Sequence, residues 1–258
     1  MALADIAALS DPVNEEAFVN RSKSSLAMSA LVVIAASWLL LYGYVGGEVA
    51  NGGTVRGTIH LDGTPPRLPA HHATTSIPVC GESVPNEELT TGAGGALANV
   101  VVWIAGVERG APAKARPLVL DQRQCRFIPH VATATVGSPF VLTSSDPTLH
   151  TTHARMGDRS LFNVALPVKG MRVTRRLDQA GVVRVACEAG HTWMRAYVHV
   201  FDHPYHAVTG ANGRFELPSI PAGHYTLRAW HERLGEQTAQ IEITAGGTAS
   251  ADLHFRAR

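Results

Sequence analysis

The segment Cys187–Met194 places a thiol, an imidazole and a thioether within eight residues of one another. Two runs that alternate between polar and apolar residues, 182–186 and 195–201, flank this segment. Alternation with a period of two predicts β-strands. The segment is therefore predicted to be a tight loop between two strands, with its donor side chains at one end of a β-sheet.

Soft sulfur combined with imidazole suits copper, and two nitrogens, a thiolate and a weak axial Met define a one-electron copper site. The loop supplies one nitrogen, from His191, so a second histidine must come from elsewhere. Strand parity over 148–155 separates two candidates, because His153 shares a face with the charged Arg155 and His150 lies on the other face. We predict His150 as the ligand and keep His153 as an alternative, since Leu149 lies on the face of His153.

Met194 begins the strand that leaves the loop, on the same face as Val198 and Val200. This parity predicts that Met194 points into an apolar interior. The predicted ligands of one copper ion are His150, Cys187, His191 and Met194. Two alternatives stay open, namely zinc on the same donors and Cys187 as a disulfide partner.

The other two cysteines, Cys80 and Cys125, lie in turn-rich stretches. A disulfide between them is predicted for an oxidising compartment, with two separate buried thiols as the alternative. His199, His203 and His206 surround Asp202. We expect these three histidines at strand edges and on the surface, with a second metal site as the alternative.

Residues 26–45 form an apolar run long enough to cross the ~30 Å hydrocarbon core as a helix. A cleaved signal peptide fits less well, because the run is long and four acidic residues precede it; a buried core helix is a further alternative. Arg21 and Lys23 precede the span, which predicts a cytoplasmic tail over residues 1–25. We therefore expect a single-pass protein of a bacterial inner membrane, anchored through residues 26–45, with its remaining domains in the periplasm.

The rest of the chain is punctuated by turns, since the sequence has 24 glycines and 15 prolines among short Val-rich runs. This pattern predicts an all-β fold. The net charge of +1 indicates no nucleic-acid partner. Neither a nucleophile–base pair nor a paired-carboxylate set stands out, so we do not expect an enzyme.

Over residues 118–202 the chain resembles the cupredoxins, the plastocyanin/azurin family of copper proteins, through His150 and the C-x3-H-x2-M loop. The loop is also similar to that of the dinuclear copper domain of cytochrome oxidases, but Val183 stands where that domain has a further cysteine. The resemblance implies a Greek-key sandwich, one copper ion that alternates between Cu(I) and Cu(II), and redox partner proteins. It also implies His191 as the point of electron exit if its outer edge reaches solvent.

The C-terminal part resembles the carboxypeptidase-regulatory-like, transthyretin-type sandwich through residues 209–215 and 220–225. We predict a copper domain over 48–206 and this second, small sandwich over 207–258. Strands within 54–104 belong either to the copper domain or to the opening of the second sandwich.

The predicted function is single-electron transfer by a membrane-tethered copper protein on the periplasmic side. The alternatives are an accessory subunit of a respiratory or photosynthetic membrane complex, and a copper-delivery or purely structural β-sandwich protein.

Overall fold

The computed structural model describes residues 43–257. The predicted cytoplasmic tail, 1–25, and all but the last three residues of the predicted membrane helix, 26–45, lie outside the described residues. Residue 45, predicted as the last residue of that helix, instead begins the strand Val45–Gly46. Within residues 43–257, no helix has both the length and the apolar character needed to cross a membrane.

The described residues form an all-β protein, which confirms the predicted fold class. The strands of the first half are β1 (Val45–Gly46), β2 (Gly53–Asp62), β3 (His71–His72), β4 (Ser83–Val84), β5 (Val101–Ala105), β6 (Arg109–Gly110), β7 (Leu118–Arg123), β8 (Arg126–Ile128), β9 (Val131–Thr135) and β10 (Ser138–Ser144). Those of the second half are β11 (His150–Met156), β12 (Arg159–Leu166), β13 (Arg172–Leu177), β14 (Gly181–Ala186), β15 (Arg195–Phe201), β16 (His206–Val208), β17 (Arg214–Ile220), β18 (Gly223–His231), β19 (Gly235–Ile243), β20 (Thr248–Ser250) and β21 (Leu253–Arg256). A helix of one turn, α1 (Ile77–Cys80), and a 3-10 turn, Ala93–Gly95, complete the list.

Two sheets build a central sandwich from residues 118–201. One sheet has the strand order β13-β10-β7-β8, and the other has the order β12-β11-β14-β15-β9. Both sheets turn apolar side chains into one core because their strands alternate, as in β10, where every second residue is buried. Members of this core from both sheets include Leu120, Phe127, Phe140, Leu142, Val183, Val185 and Val198, and Met194 joins them from the loop between β14 and β15.

Two further sheets build a split sandwich from strands at both ends of the described chain. One has the order β16-β5-β18-β19, and the other has the order β17-β2-β20 with β21 also paired to β2. Both strands for which the sequence left two assignments open, β2 and β5, thus form their ladders with strands after residue 205. The boundaries of independently folding domains stay predictions.

Residues 71–84, which we call the strap, leave the split sandwich and cover part of the central one. The strap consists of β3, α1 and β4, and its residues Ala73, Cys80 and Val84 are buried in the central core. A disulfide joins Cys80 to Cys125, which confirms the predicted pairing. The hydroxyls of Ser76 and Thr148 add a hydrogen bond of 3.0 Å between strap and sandwich.

Three strand ends meet beneath the strap. Strand β11 begins at His150, β14 ends at Ala186 and β15 begins at Arg195. Because β14 pairs antiparallel with both of its neighbours, these three ends lie on the same edge of the sheet. The loop between β14 and β15 is therefore placed next to the first residue of β11.

Candidate metal centre

The sheet edge brings together three side chains that can bind a metal ion: His150, Cys187 and His191. Their ligand atoms lie within 4.8 Å of one another. Cys187 Sγ lies 3.9 Å from Nδ1 of His150 and 3.6 Å from Nδ1 of His191. All three residues are buried, so the donors face one another in a pocket that solvent does not reach.

Backbone hydrogen bonds fold the loop so that its two donors point the same way. The amide of Cys187 donates to the carbonyl of Met194 at 3.2 Å, and the amide of Met194 donates to the carbonyl of His191 at 2.9 Å. Gly190 takes a positive φ of 87°, which glycine adopts without the steric cost of a side chain. The closed loop brings His191 back over Cys187.

The thiol of Cys187 lies among groups that favour its anionic form. The amide of Thr151 donates to Sγ at 3.3 Å, and the hydroxyl of Thr151 lies 3.8 Å away. Burial alone would raise the pKa of Cys187, but His150 and the amide of Thr151 lower it below its ordinary value. Since metals bind the thiolate, this environment prepares the sulfur for a cation.

Asp146 lies on the side of His150 that faces away from Cys187, and no prediction from the sequence included it. Its Oδ2 lies 3.0 Å from Nε2 of His150 and accepts the amide of Cys125 at 2.8 Å, while Oδ1 accepts the amide of Gln124 at 2.7 Å. A carboxylate behind an imidazole fixes its tautomer and leaves the other nitrogen free for a metal. The available signal was an acidic residue four positions before the candidate ligand.

Charged neighbours also set the protonation of the two histidines. Burial would lower the pKa of His150, yet Asp146 and Cys187 raise it to about 9. Burial, together with the proximity of His150, lowers the pKa of His191 to about 4. Without a metal ion, the pocket therefore favours a charged His150 beside the sulfur and a neutral His191.

The outer edge of His191 does not reach solvent, because the residue is only 1% exposed. Trp193 packs edge-on against its ring at a centroid distance of 5.3 Å. A ring nitrogen of His191 lies within 4.8 Å of both sulfurs of the Cys80–Cys125 disulfide. The condition under which the resemblance made His191 an electron exit is not met.

Met194 and His153 occupy different environments. Met194 is 1% exposed and belongs to the central core, as its strand parity indicates. His153 is turned away from Cys187, since Nδ1 contacts Glu188 and Nε2 lies 2.9 Å from Oγ of Ser160. The structure thus groups His150, and not His153, with Cys187 and His191, whereas metal binding by His150, Cys187, His191 and Met194 stays a prediction.

Two of the three histidines expected at strand edges and on the surface, His199 and His203, are instead buried, and the expectation is wrong for them; His206 is half-buried and begins the edge strand β16. His199 is 5% exposed and His203 is 6% exposed. His206 stacks on Phe201 at 4.7 Å, and His199 packs on Trp230 at 4.4 Å. These rings fill the junction between strand β15 of the central sandwich and the split sandwich, which a local sequence pattern does not reveal.

One protein-family model matches part of this chain. Residues 180–256 match the carboxypeptidase regulatory-like domain. The match covers β14, β15 and the C-terminal strands of the split sandwich, and it begins earlier in the chain than the resemblance seen in the sequence. No curated protein matches the chain.

Solved structures that resemble this chain include three copper proteins. Amicyanin from Paracoccus versutus is 18% identical, with 35% of this chain and 84% of amicyanin covered and a TM-score of 0.30. The purple cupredoxin from Nitrosopumilus maritimus is 20% identical, with 34% and 99% covered and a TM-score of 0.28. The copper-containing nitrite reductase from Thermus scotoductus is 16% identical; 34% of this chain and only 23% of the reductase are covered, with a TM-score of 0.30.

Proposed function

We propose that this protein is a mononuclear copper protein that transfers single electrons, with His150, Cys187 and His191 as ligands and Met194 as a weak fourth. The observation that carries the proposal is the convergence of the two Nδ1 atoms on Cys187 Sγ, at 3.9 and 3.6 Å, within a buried pocket. Two imidazoles and one thiolate form the donor set that suits a copper electron-transfer site.

The donors also meet the further requirements of a copper site. Both histidines present the same ring atom, Nδ1, to the sulfur, while Asp146 occupies Nε2 of His150. The amide of Thr151 points at the sulfur, and such hydrogen bonds tune the potential of a metal–thiolate centre. His150 and Cys187 are thus each oriented by a second group before any metal arrives.

A bound copper ion would supply the one-electron couple between Cu(I) and Cu(II). The residues of the chain hold the donors in one arrangement, because His150 begins β11 and the loop of Cys187 and His191 is closed by backbone hydrogen bonds. The strap excludes water from the donors by covering the pocket. A rigid, dry pocket keeps the rearrangement small when the charge changes by one electron.

Membrane attachment and location belong to the same proposal. Residues 26–45 would anchor the chain in a bacterial inner membrane, with residues 48–258 in the periplasm. A tether raises the effective concentration of a carrier near membrane-bound redox partners. The split sandwich, part of which matches the carboxypeptidase regulatory-like domain, would then scaffold or dock the carrier.

The test loads the purified full-length chain with Cu(II) and records its visible spectrum. We expect an intense thiolate-to-copper band that disappears in Cys187→Ser and His150→Ala. The matched control is His153→Ala, which removes a neighbouring imidazole on the other face of β11 and should keep the band. A reversible one-electron wave in voltammetry should accompany the band.

Three results would contradict the proposal. A colourless chain that binds zinc tightly and copper only weakly would show a structural metal site. A band that survives Cys187→Ser would exclude the thiolate as its origin. Exchangeable Cu(I) binding without a redox wave would indicate copper delivery instead of electron transfer.

A further inference from the structure

The Cys80–Cys125 disulfide lies against the side of the metal centre that carries His191. A ring nitrogen of His191 is within 4.8 Å of both disulfide sulfurs. The same histidine presents Nδ1 to Cys187 at 3.6 Å, which leaves Nε2 as its second donor. Two sulfurs and one imidazole therefore lie together next to the proposed copper ligands.

Nε2 of His191 is a buried polar atom for which the described residues offer no hydrogen-bond partner. The residue is 1% exposed, so bulk water does not replace the missing partner. Burying an imidazole nitrogen without a partner costs free energy, and such a group calls for an explanation. A metal ion held by the neighbouring sulfurs would satisfy it.

We propose that reduction of the Cys80–Cys125 disulfide creates a second soft-metal site, in which two cysteine thiolates and His191 bind Cu(I). In the oxidised protein both sulfurs are bonded to each other and cannot act as thiolate ligands. The disulfide thus decides whether this second site exists. The proposal shares His191 with the proposed function but does not require Cys187.

The chemistry needs a dithiol reductant. The reductant gives two electrons and two protons, the sulfur–sulfur bond breaks, two thiols form, and the reductant becomes a disulfide. Binding of Cu(I) then releases the two thiol protons to solvent. Thiolates are the ligands that select Cu(I).

The geometry permits the ligands to reach one ion. A disulfide holds its two sulfurs about 2 Å apart, whereas two thiolates that share an ion through bonds of about 2.3 Å lie about 4 Å apart, so the sulfurs must separate by about 2 Å after reduction. A ring nitrogen of His191 already lies within 4.8 Å of both sulfurs and is within reach of an ion held between them. Cys125 is held in the central core at 0% exposure. Cys80 ends the one-turn helix of the strap, so its backbone is the part that can shift outward.

The test uses full-length Cys187→Ser protein, because this variant lacks the proposed copper thiolate. The protein is reduced with a dithiol, freed of the reductant under nitrogen, and titrated with Cu(I) in the presence of the chelator bathocuproine disulfonate. We expect one chelator-resistant Cu(I) per reduced chain and none per oxidised chain. In this background Cys125→Ala should abolish the resistant ion.

His191 provides the decisive comparison, since thiols of an unfolded chain would bind Cu(I) without it. In reduced Cys187→Ser protein, His191→Ala should release the ion to the chelator, whereas the matched change His153→Ala should retain it. Circular dichroism of each sample shows whether the β-structure survives. Equal Cu(I) retention with and without His191, or no retention in the reduced form, overturns the proposal, while the visible band of oxidised wild-type protein tests the first site separately.

Discussion

Asp146 Oδ2 lies 3.0 Å from Nε2 of His150, and both residues are buried at the edge of the central sandwich. The same carboxylate accepts the amides of Gln124 and Cys125 at 2.7 and 2.8 Å. One side chain therefore connects a predicted metal ligand with the backbone next to the disulfide. Removing its charge should disturb both features together.

We expect Asp146→Asn to weaken copper binding about 10- to 100-fold, which is typical for loss of a partner behind a ligand. An asparagine cannot replace the carboxylate, because its NH2 group would face a backbone or imidazole N–H that now donates to oxygen. Competition against a chelator measures the affinity. The control is Asp178→Asn, which removes an exposed carboxylate paired with Arg176; similar losses in both variants would contradict this role for Asp146.

Met194→Leu tests the fourth ligand. This swap nearly conserves volume and should cost less than about 1.5 kcal/mol of the free energy of unfolding. Loss of a weak sulfur donor destabilises the higher-charged Cu(II) more than Cu(I), so we expect the visible band to persist and the reduction potential to rise. Met171→Leu, at the edge of the same core, is the control. An unchanged potential and electron spin resonance spectrum in Met194→Leu would exclude Met194 as a ligand.

The disulfide should contribute strongly to stability, because it closes a loop with a sequence separation of 45 residues. In the chain-entropy description, a loop of this length corresponds to about 4 kcal/mol. Urea unfolding of the metal-free protein should show a loss of this size in the Cys80→Ala, Cys125→Ala double variant. A loss of less than about 1 kcal/mol would contradict a strong contribution of the disulfide to stability.

Gly190 lies in the metal loop at a point where the strap residue Thr75 passes close to it. It has a φ of 87°, and a Cβ atom there would lie 3.2 Å from Cγ2 of Thr75. Gly190→Ala should cost about 1–2 kcal/mol from the backbone conformation alone, with an added cost from the contact. Gly170→Ala is a matched control, since its φ is 82° and nothing lies within 4 Å of its Cβ position. Equal unfolding midpoints for Gly190→Ala and Gly170→Ala would show that Thr75 moves aside without a cost in stability.

The pair His130–Glu232 predicts a pH dependence of stability. It joins the central sandwich to the split one, and both side chains are less than 10% exposed. Burial would lower the pKa of His130, but the hydrogen bond to Glu232 raises it overall. Because the folded value exceeds the unfolded value, the stabilisation is complete below about pH 6.5 and is lost as pH rises through the raised pKa.

Thermal unfolding between about pH 6 and 9 checks this expectation against the ordinary histidine pKa of about 6.5. The melting temperature of wild-type protein should fall more steeply with rising pH than that of His130→Gln. His224→Gln replaces an exposed histidine and should leave the wild-type slope unchanged. If the melting temperatures of wild-type protein and His130→Gln change equally with pH, the pair His130–Glu232 does not cause the pH dependence.

Local patterns were sufficient for the strands and for the orientation of side chains along them. Alternation predicted that Met194, Val198 and Val200 are buried, and the same parity separated His150 from His153. Parity was not sufficient for His199, which is buried although it lies on the opposite face from Val198 and Val200. The split sandwich covers that face, and the pairing of β15 with its own neighbours does not reveal it.

The sequence by itself determined the all-β class and the loop that carries Cys187, His191 and Met194, because these features depend on neighbours within a few residues. Only the tertiary structure placed Asp146 behind His150, covered His191 with the strap, and buried His199 and His203. These contacts require the chain to fold back on itself. The disulfide, for example, joins residues that are 45 positions apart. Periodicity reports which face of a strand is apolar, but packing decides what covers that face.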